Sequence, residues 1–349
     1  MTAAVLREPR NLAARMGRWS ATHRKTAIIG WLAFVVIAFA IGQAAGTVKI
    51  TNADTGAGES RQAARVLDKA GFDAPAGEVV LVQSKSTGAT GDPAFRAAVA
   101  DVVAKVKGVS VVQNVRSPLG NAAQLSKDGR SALVQFEITG LADDAQDKID
   151  PVLAAVDAAQ KAHPDLRIEE FGDASAGKAL DDTIGKDFKQ AELASIPVTL
   201  IILVLAFGAL VAAGLPLLLG ITSVLGGLGL LALSSHLLAA DDAANSVLLL
   251  IGLAVGVDYS LFYIKREREE RARGLDKEAA LNAAAATSGR SVLVSGLTVL
   301  IAMAGMYFTG NSIFQSIATG TILVVAISIV GSLTVLPALL STLGDRIDK

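Results

Sequence analysis

Long apolar runs dominate the chain, and one extended polar stretch interrupts them early. A bilayer core of about 30 Å needs about 20 apolar residues per helix, so runs of that length predict membrane spans. Six such runs stand out: Thr26 to Ala45, Ala194 to Ala212, Leu215 to Leu238, Ala243 to Ile264, Ser291 to Thr309 and Ile313 to Leu340. The second and third are separated by Phe207 to Pro216, whose two glycines and proline predict a tight turn, and the last two by Gly310-Asn311-Ser312. Thr26 to Ala45 also has the outline of a signal peptide, with Ala38-Phe39-Ala40 as a small-residue pattern. Its length and the five runs that follow make a retained anchor the simpler reading.

Between the first and second runs the pattern changes to short alternating strands and amphipathic helices. Strands are predicted at Glu78 to Ser84, Val109 to Val115, Ser131 to Thr139 and Leu166 to Gly172, with helices at Pro93 to Val106 and Asp144 to Ala162. The order βαββαβ is the ferredoxin-like split motif, in which two helices cover one face of a four-stranded antiparallel sheet. Glu59 to Ala70 reads as a helix leading in, and Gly172 to Gln190 leads back. The fold class is therefore a membrane α-helical bundle of six transmembrane helices with an extracytoplasmic α+β domain between helices 1 and 2. Its parts are 1–25, a basic cytoplasmic N-terminus; 26–45, the first span; 46–190, the outside domain; 191–342, spans two to six; and 343–349, a cytoplasmic tail.

Charge sets the orientation. Arg7, Arg10, Arg15, Arg18, Arg24 and Lys25 precede the first span against one Glu8, and Lys265-Arg266-Glu267-Arg268 follows the fourth. Lysine and arginine in short loops favour the cytoplasmic side, so both termini are expected inside a cell membrane and the acidic Asp241-Asp242 loop outside. The segment near 265–290 mixes both signs, with Glu267 to Arg271 and Glu269 to Arg273 four apart, and reads as a solvated cytoplasmic helix.

Composition narrows the function classes. The chain is 349 residues long, 52% hydrophobic and 19% charged, with a net charge of -1, so no basic field exists to hold nucleic acid. It has no cysteine, which removes thiolate chemistry and disulfides, and His23, His163 and His236 are too scattered for a metal site or a catalytic triad. Neither an enzyme nor a cofactor protein is expected.

One residue does not suit a purely structural bundle. Asp258 lies inside the fourth run, followed by Tyr259, about 10 Å along a helix from Lys265 and about 22 Å from Ala243, too deep for so short a side chain to reach water. Placing a carboxylate there costs roughly 2.5 to 3.5 kcal/mol. One charge crossing the membrane is worth about 2.3 kcal/mol per 100 mV, so protonating and deprotonating Asp258 is matched in energy to a proton gradient. The alternative is a carboxyl that pairs with a neighbouring helix and never titrates. Gly252 and Gly256 form a GxxxG step in the same helix, and Ser291, Ser295, Gly296 and Thr298, with Gly320 and Thr321, offer small packing or hydrating partners.

The stretch Gly252-Leu-Ala-Val-Gly-Val-Asp258-Tyr259-Ser-Leu-Phe-Tyr-Ile-Lys-Arg-Glu-Arg-Glu-Glu resembles the fourth-span motif of the MMPL family of RND transporters. Phe207 to Pro216 resembles that family's turn between spans two and three, and Ala286 to Gly296 the start of its span five. The resemblance implies a proton relay at Asp258 and Tyr259, helix packing at Gly252, Gly256, Ser295 and Gly296, and export of lipids or other hydrophobic molecules. Family members usually contain this unit twice, and this chain holds one copy. A second half-unit, in a longer transporter or a sister chain, or self-association is therefore expected, together with membrane lipids as partners. Two rivals remain: a SecDF-like translocation accessory, and a non-transporting lipid sensor or truncated scaffold.

Overall fold

The computed structural model describes residues 11–72 and 75–344; Arg7, Glu8, Arg10 and the 345–349 part of the expected tail lie outside the described residues. Two compact units emerge. Among the described residues, one comprises 11–50, 54–61 and 190–344, and the other 51–53, 62–72 and 75–189. The chain opens with α1 (Leu12–Thr22), α2 (Arg24–Ala45), α3 (Asn52–Thr55) and α4 (Gly58–Lys69). There follow β1 (Gly77–Gln83), α5 (Pro93–Lys107), β2 (Val112–Arg116), β3 (Ser131–Ile138), α6 (Ala145–Lys148), α7 (Asp150–Ala162) and β4 (Arg167–Gly172). It closes with α8 (Asp173–Phe207), α9 (Leu210–Ser234), α10 (Asp242–Ala272), α11 (Lys277–Ala304) and α12 (Ser312–Leu343).

In the second unit the sheet order is β2-β3-β1-β4, antiparallel throughout, with Val80 opposite Val134 and Val82 opposite Ile168. Alternation decides which face is buried: Val80, Val82, Val134, Phe136 and Ile138 point inward and meet Phe95, Val99 and Val102 of α5 and Val152 of α7. Asp92 caps α5 by accepting from the Ala94 amide at 3.0 Å, with Pro93 preset in the first turn. The helix expected at Asp144 to Ala162 is instead divided at Ile149 into α6 and α7, because Pro151 has no amide hydrogen to donate back to the Asp147 carbonyl. Strand β2 begins three residues later than expected, and a register shift with Asn114 at φ +53 accounts for its irregular pairing.

In the first unit, five helices among the described residues are long and apolar enough to cross a membrane: α2, α9, α10, α11 with its short extension to Thr309, and α12. The run expected as the second span is the apolar end of α8, Ile196–Leu205, a shorter stretch. The turn after it is tighter than the sequence suggests. Gly208, at φ +66, makes the turn with Ala209, and α9 starts at Leu210, so Pro216 lies inside a helix rather than in the loop. Arg268 of α10 closes this turn, donating from Nη1 to the Phe207 carbonyl at 2.9 Å and stacking 5.3 Å over the Phe207 ring.

The segment at 265–290 is also corrected. It is the continuation of the long helices α10 and α11, joined by a turn at Gly274, φ +94, with Asp276 capping α11. Nor is it uniformly solvated: Glu267 and Glu270 are buried, and Glu270 pairs with Arg266 at 2.5 Å and Arg273 at 2.9 Å. The pairing expected between Glu269 and Arg273 goes to Glu270, while Glu267 and Arg271 approach to 3.9 Å. Helix α1 packs on α11 and α12, with Asn11 donating to the Ala286 carbonyl at 2.8 Å and Ser20 to the Thr334 carbonyl.

Candidate functional site

Helix α10 packs against α9, α11 and α12. Its contact faces are set by small residues. A Cβ on Gly256 would sit 2.6 Å from the Gly220 Cα, so this glycine permits a backbone approach that alanine would prevent, and Gly252 makes room for the Val324 and Val224 side chains. Close approach recurs where Gly42 of α2 meets Gly229 of α9, a contact that the sequence reading did not single out.

Asp258 stands on the opposite side of α10 from this packing. Leu250, Ala254, Asp258 and Phe262, each four residues on from the last, form an exposed stripe, with Leu250 40% and Phe262 59% exposed. The sequence reading expected an acid enclosed within the bundle. The structure instead places the carboxyl on the outer surface of this unit, because the 100° step from Gly256 and Val257 carries it past the α9 contact. The next residue turns inward: Tyr259 is 6% exposed and Ser260 fully buried, its hydroxyl donating to the Gly256 carbonyl at 2.7 Å.

The Tyr259 hydroxyl reaches α11. A Cβ on Gly296 would sit 3.2 Å from it and would also collide with Ile329, and Ser295 precedes Gly296 on the same helix. The structure thus brings Tyr259, Ser295 and Gly296 together, with Asp258 adjacent on the open side, while Gly252 and Gly256 serve the packed side. Ser291, Val294, Ser295, Leu297 and Thr298 are exposed along α11. A shallow groove of about 810 Å³ runs beside them, lined by Arg266, Thr287, Ser288, Arg290, Ser291 and Ser295. Of the α12 residues considered as partners, Gly320 packs near the Ala244 carbonyl and Leu248, and Thr321 is buried with its hydroxyl unpartnered among the described residues.

The histidines His23 and His163 have local partners. His23 stacks on Trp19 at 5.3 Å, and His163 pairs with Asp101 at 3.1 Å; Lys105 foremost, and then His163, hold the Asp101 carboxyl below its usual range. A second polar cluster, which the sequence reading missed, lies in the βαββαβ unit. Glu78, 1% exposed, accepts from the Ala174 amide at 2.7 Å and the Ser175 hydroxyl at 2.6 Å, and so holds the first turn of α8. Glu170, on the same face of the neighbouring strand, has both carboxyl oxygens buried without a partner among the described residues. Burial, and then the nearby Glu78, push the Glu170 carboxyl up to about 8.

Comparison with known proteins follows the same lines. A membrane protein of Streptomyces coelicolor is 34% identical over 94% of this chain and 46% of its own length. The mycolic acid-containing lipids exporter MmpL11 of Mycolicibacterium smegmatis is 34% identical over 71% of this chain and 26% of its own. The trehalose monomycolate exporter MmpL3 of the same organism is 37% identical over 48% and 17%. The chain therefore spans less than half the length of each of these relatives. The hedgehog release protein Disp from a water bear shares the fold, with a TM-score of 0.56 over 95% of this chain and 50% of that one at 15% identity. The MMPL family profile matches residues 52–349, and the chain, a multi-pass membrane protein, belongs to the MMPL family.

Proposed function

We propose that this chain is one unit of a proton-motive-force-driven exporter of lipids or other hydrophobic molecules in the cell membrane. The carrying observation is Asp258: a carboxyl on the exposed stripe of an apolar membrane helix, with a buried tyrosine beside it whose hydroxyl contacts the neighbouring helix. An acid exposed to hydrocarbon is costly, so the stripe calls for a covering surface, either a second half-unit or another copy of this chain. The little-covered face of α11, where Ser291, Ser295 and Thr298 interrupt an apolar surface, supports the same placement of a partner. In that setting Asp258 takes up and releases the coupling proton, and Tyr259 with Ser295 relays it.

The topology that goes with this reading has six spans, the apolar end of α8 completing the set, both termini cytoplasmic and the βαββαβ unit outside. The lysines and arginines around Arg24 and Arg266 support that orientation. Lipid as the substrate class follows from the relatives named as lipid exporters. Asp258→Asn tests the proposal in liposomes carrying the transporter as it occurs in its host membrane. Efflux driven by an imposed proton gradient should fall at least about a hundredfold while insertion and thermal stability stay unchanged. Efflux in Asp258→Asn equal to that of the unmodified protein would remove the proton role from Asp258, and no gradient-driven efflux from either would mean a scaffold or sensor.

A further inference from the structure

At the basic end of the bundle one cavity lies between α1, α11 and the ends of α2 and α12, and a second between α1, α2 and α12. The first, about 470 Å³, is lined by Arg18 and Thr22 of α1, Arg24 of α2, Lys277 and Glu278 of α11 and Ser341 of α12. Arg24 and Lys277 converge on one acceptor, the Ser341 carbonyl, at 3.2 and 2.6 Å, so three cations meet near the C-terminal end of α12 with one carboxylate among them. The second, about 450 Å³, is almost wholly apolar and includes Trp19, Gly30, Trp31, Phe34 and Val330. Trp31 forms its inner wall, fixed by its indole N–H donating to Thr222 at 3.1 Å, while Trp19, 48% exposed, stands at the level where α1 gives way to α2.

These cavities follow one another along the same helices. Ser341 lines the first and Thr334 the second, about 10 Å apart along α12 at 1.5 Å per residue, and Arg24 lies less than one turn from Thr26 and Ala27 of the apolar groove. We propose that together they form a binding site for an anionic diacyl phospholipid of the leaflet at this end. The headgroup phosphate would sit among Arg18, Arg24 and Lys277, and an acyl chain between Trp31, Phe34 and Val330. A free anion satisfies only the first cavity and a neutral lipid only the second; their succession along α1, α2 and α12 selects an amphiphile with an anionic head. Basic pockets between membrane helices bind such headgroups, and an interfacial tryptophan suits the boundary between head and chain. The site does not involve Asp258 and does not depend on what the protein exports.

Gly30 supplies an independent handle: it lines the groove and a Cβ added there meets nothing within 4 Å, so Gly30→Leu is expected to occupy the groove while the bundle stays intact. Native mass spectrometry of the full chain, released from nanodiscs holding equal phosphatidylglycerol and phosphatidylcholine, reads the retained lipid. The unmodified protein should retain phosphatidylglycerol about tenfold over phosphatidylcholine. The double variant Arg24→Gln, Lys277→Gln should bring the two lipids to parity. Gly30→Leu should lower retention of both, with its melting temperature unchanged. No preference in the unmodified protein, or retention unaltered by either variant, would overturn the site. Displacement of phosphatidylglycerol by millimolar inorganic phosphate would reduce it to a plain anion site and also overturn the proposal.

Discussion

Replacing Glu170 with glutamine should remove the pH dependence of the βαββαβ unit. Glu170 faces the core beside Val80, diagonal to Glu78 across the β1–β4 pair, and neither carboxyl oxygen has a partner among the described residues. The charged groups of α7 turn outward: Asp150 is 67% exposed beside Lys178, and Asp157 pairs with Lys161 at the surface. Glu78 is thus the charge that opposes ionisation. Folding raises the Glu170 pKa from the ordinary 4.5 to about 8, so between those values the folded state holds a proton that the unfolded state has lost. Stability is then full below about pH 4.5, falls as pH rises through about 8, and levels off beyond. At about 1.36 kcal/mol per pH unit the span is worth at most about 5 kcal/mol, reduced to about 2–4 kcal/mol by solvent screening of this partly accessible residue. Hydrogen-exchange protection of β1 and β4 in the full chain, corrected for the chemical exchange rate, measures it from pH 5 to 9. The unmodified protein should lose that amount over the range and Glu170→Gln should lose almost none. Equal slopes in the two proteins would refute the reasoning.

Gly256→Leu forces a side chain into the Gly220 backbone and should lower stability by about 1–3 kcal/mol or more, read as a drop in the melting temperature in detergent micelles. Arg268→Ala removes the hydrogen bond to the Phe207 carbonyl and the stacking over its ring; exchange of amides 205–212 should speed up about tenfold while the remaining helices keep their protection. Ser175→Ala deprives the buried Glu78 of a donor and should cost the βαββαβ unit about 1–3 kcal/mol, measured by the same exchange experiment at pH 6.

Much of this architecture is legible in the chain because two periodicities are strong. Unbroken apolar runs mark the spans, and alternation in Ser131–Ile138 marks a strand with one buried face. The Gly310-Asn311 boundary is readable for a local reason: glycine takes φ +70 and the asparagine side chain accepts from the Ile313 amide. Pro216 misleads because proline signals a turn in water, whereas in a membrane bundle the neighbouring helices tolerate it inside a helix. The burial of Glu267 and Glu270 is invisible in the chain, since their arginine partners look like ordinary surface spacing until α10 is seen to pack. Similarly, the motif names Asp258, but only tertiary packing tells which side of α10 it occupies. Glu78 and Glu170 lie far apart in the chain and meet only through strand register.

Isotope-edited infrared difference spectroscopy on the intact transporter in liposomes tests the proton role of Asp258 most directly. The account predicts a carboxyl C=O band that grows and shrinks as the pH gradient is reversed and that disappears in Asp258→Asn. A difference spectrum in which the unmodified protein and Asp258→Asn are identical, with no carboxyl band responding to the gradient, would contradict it.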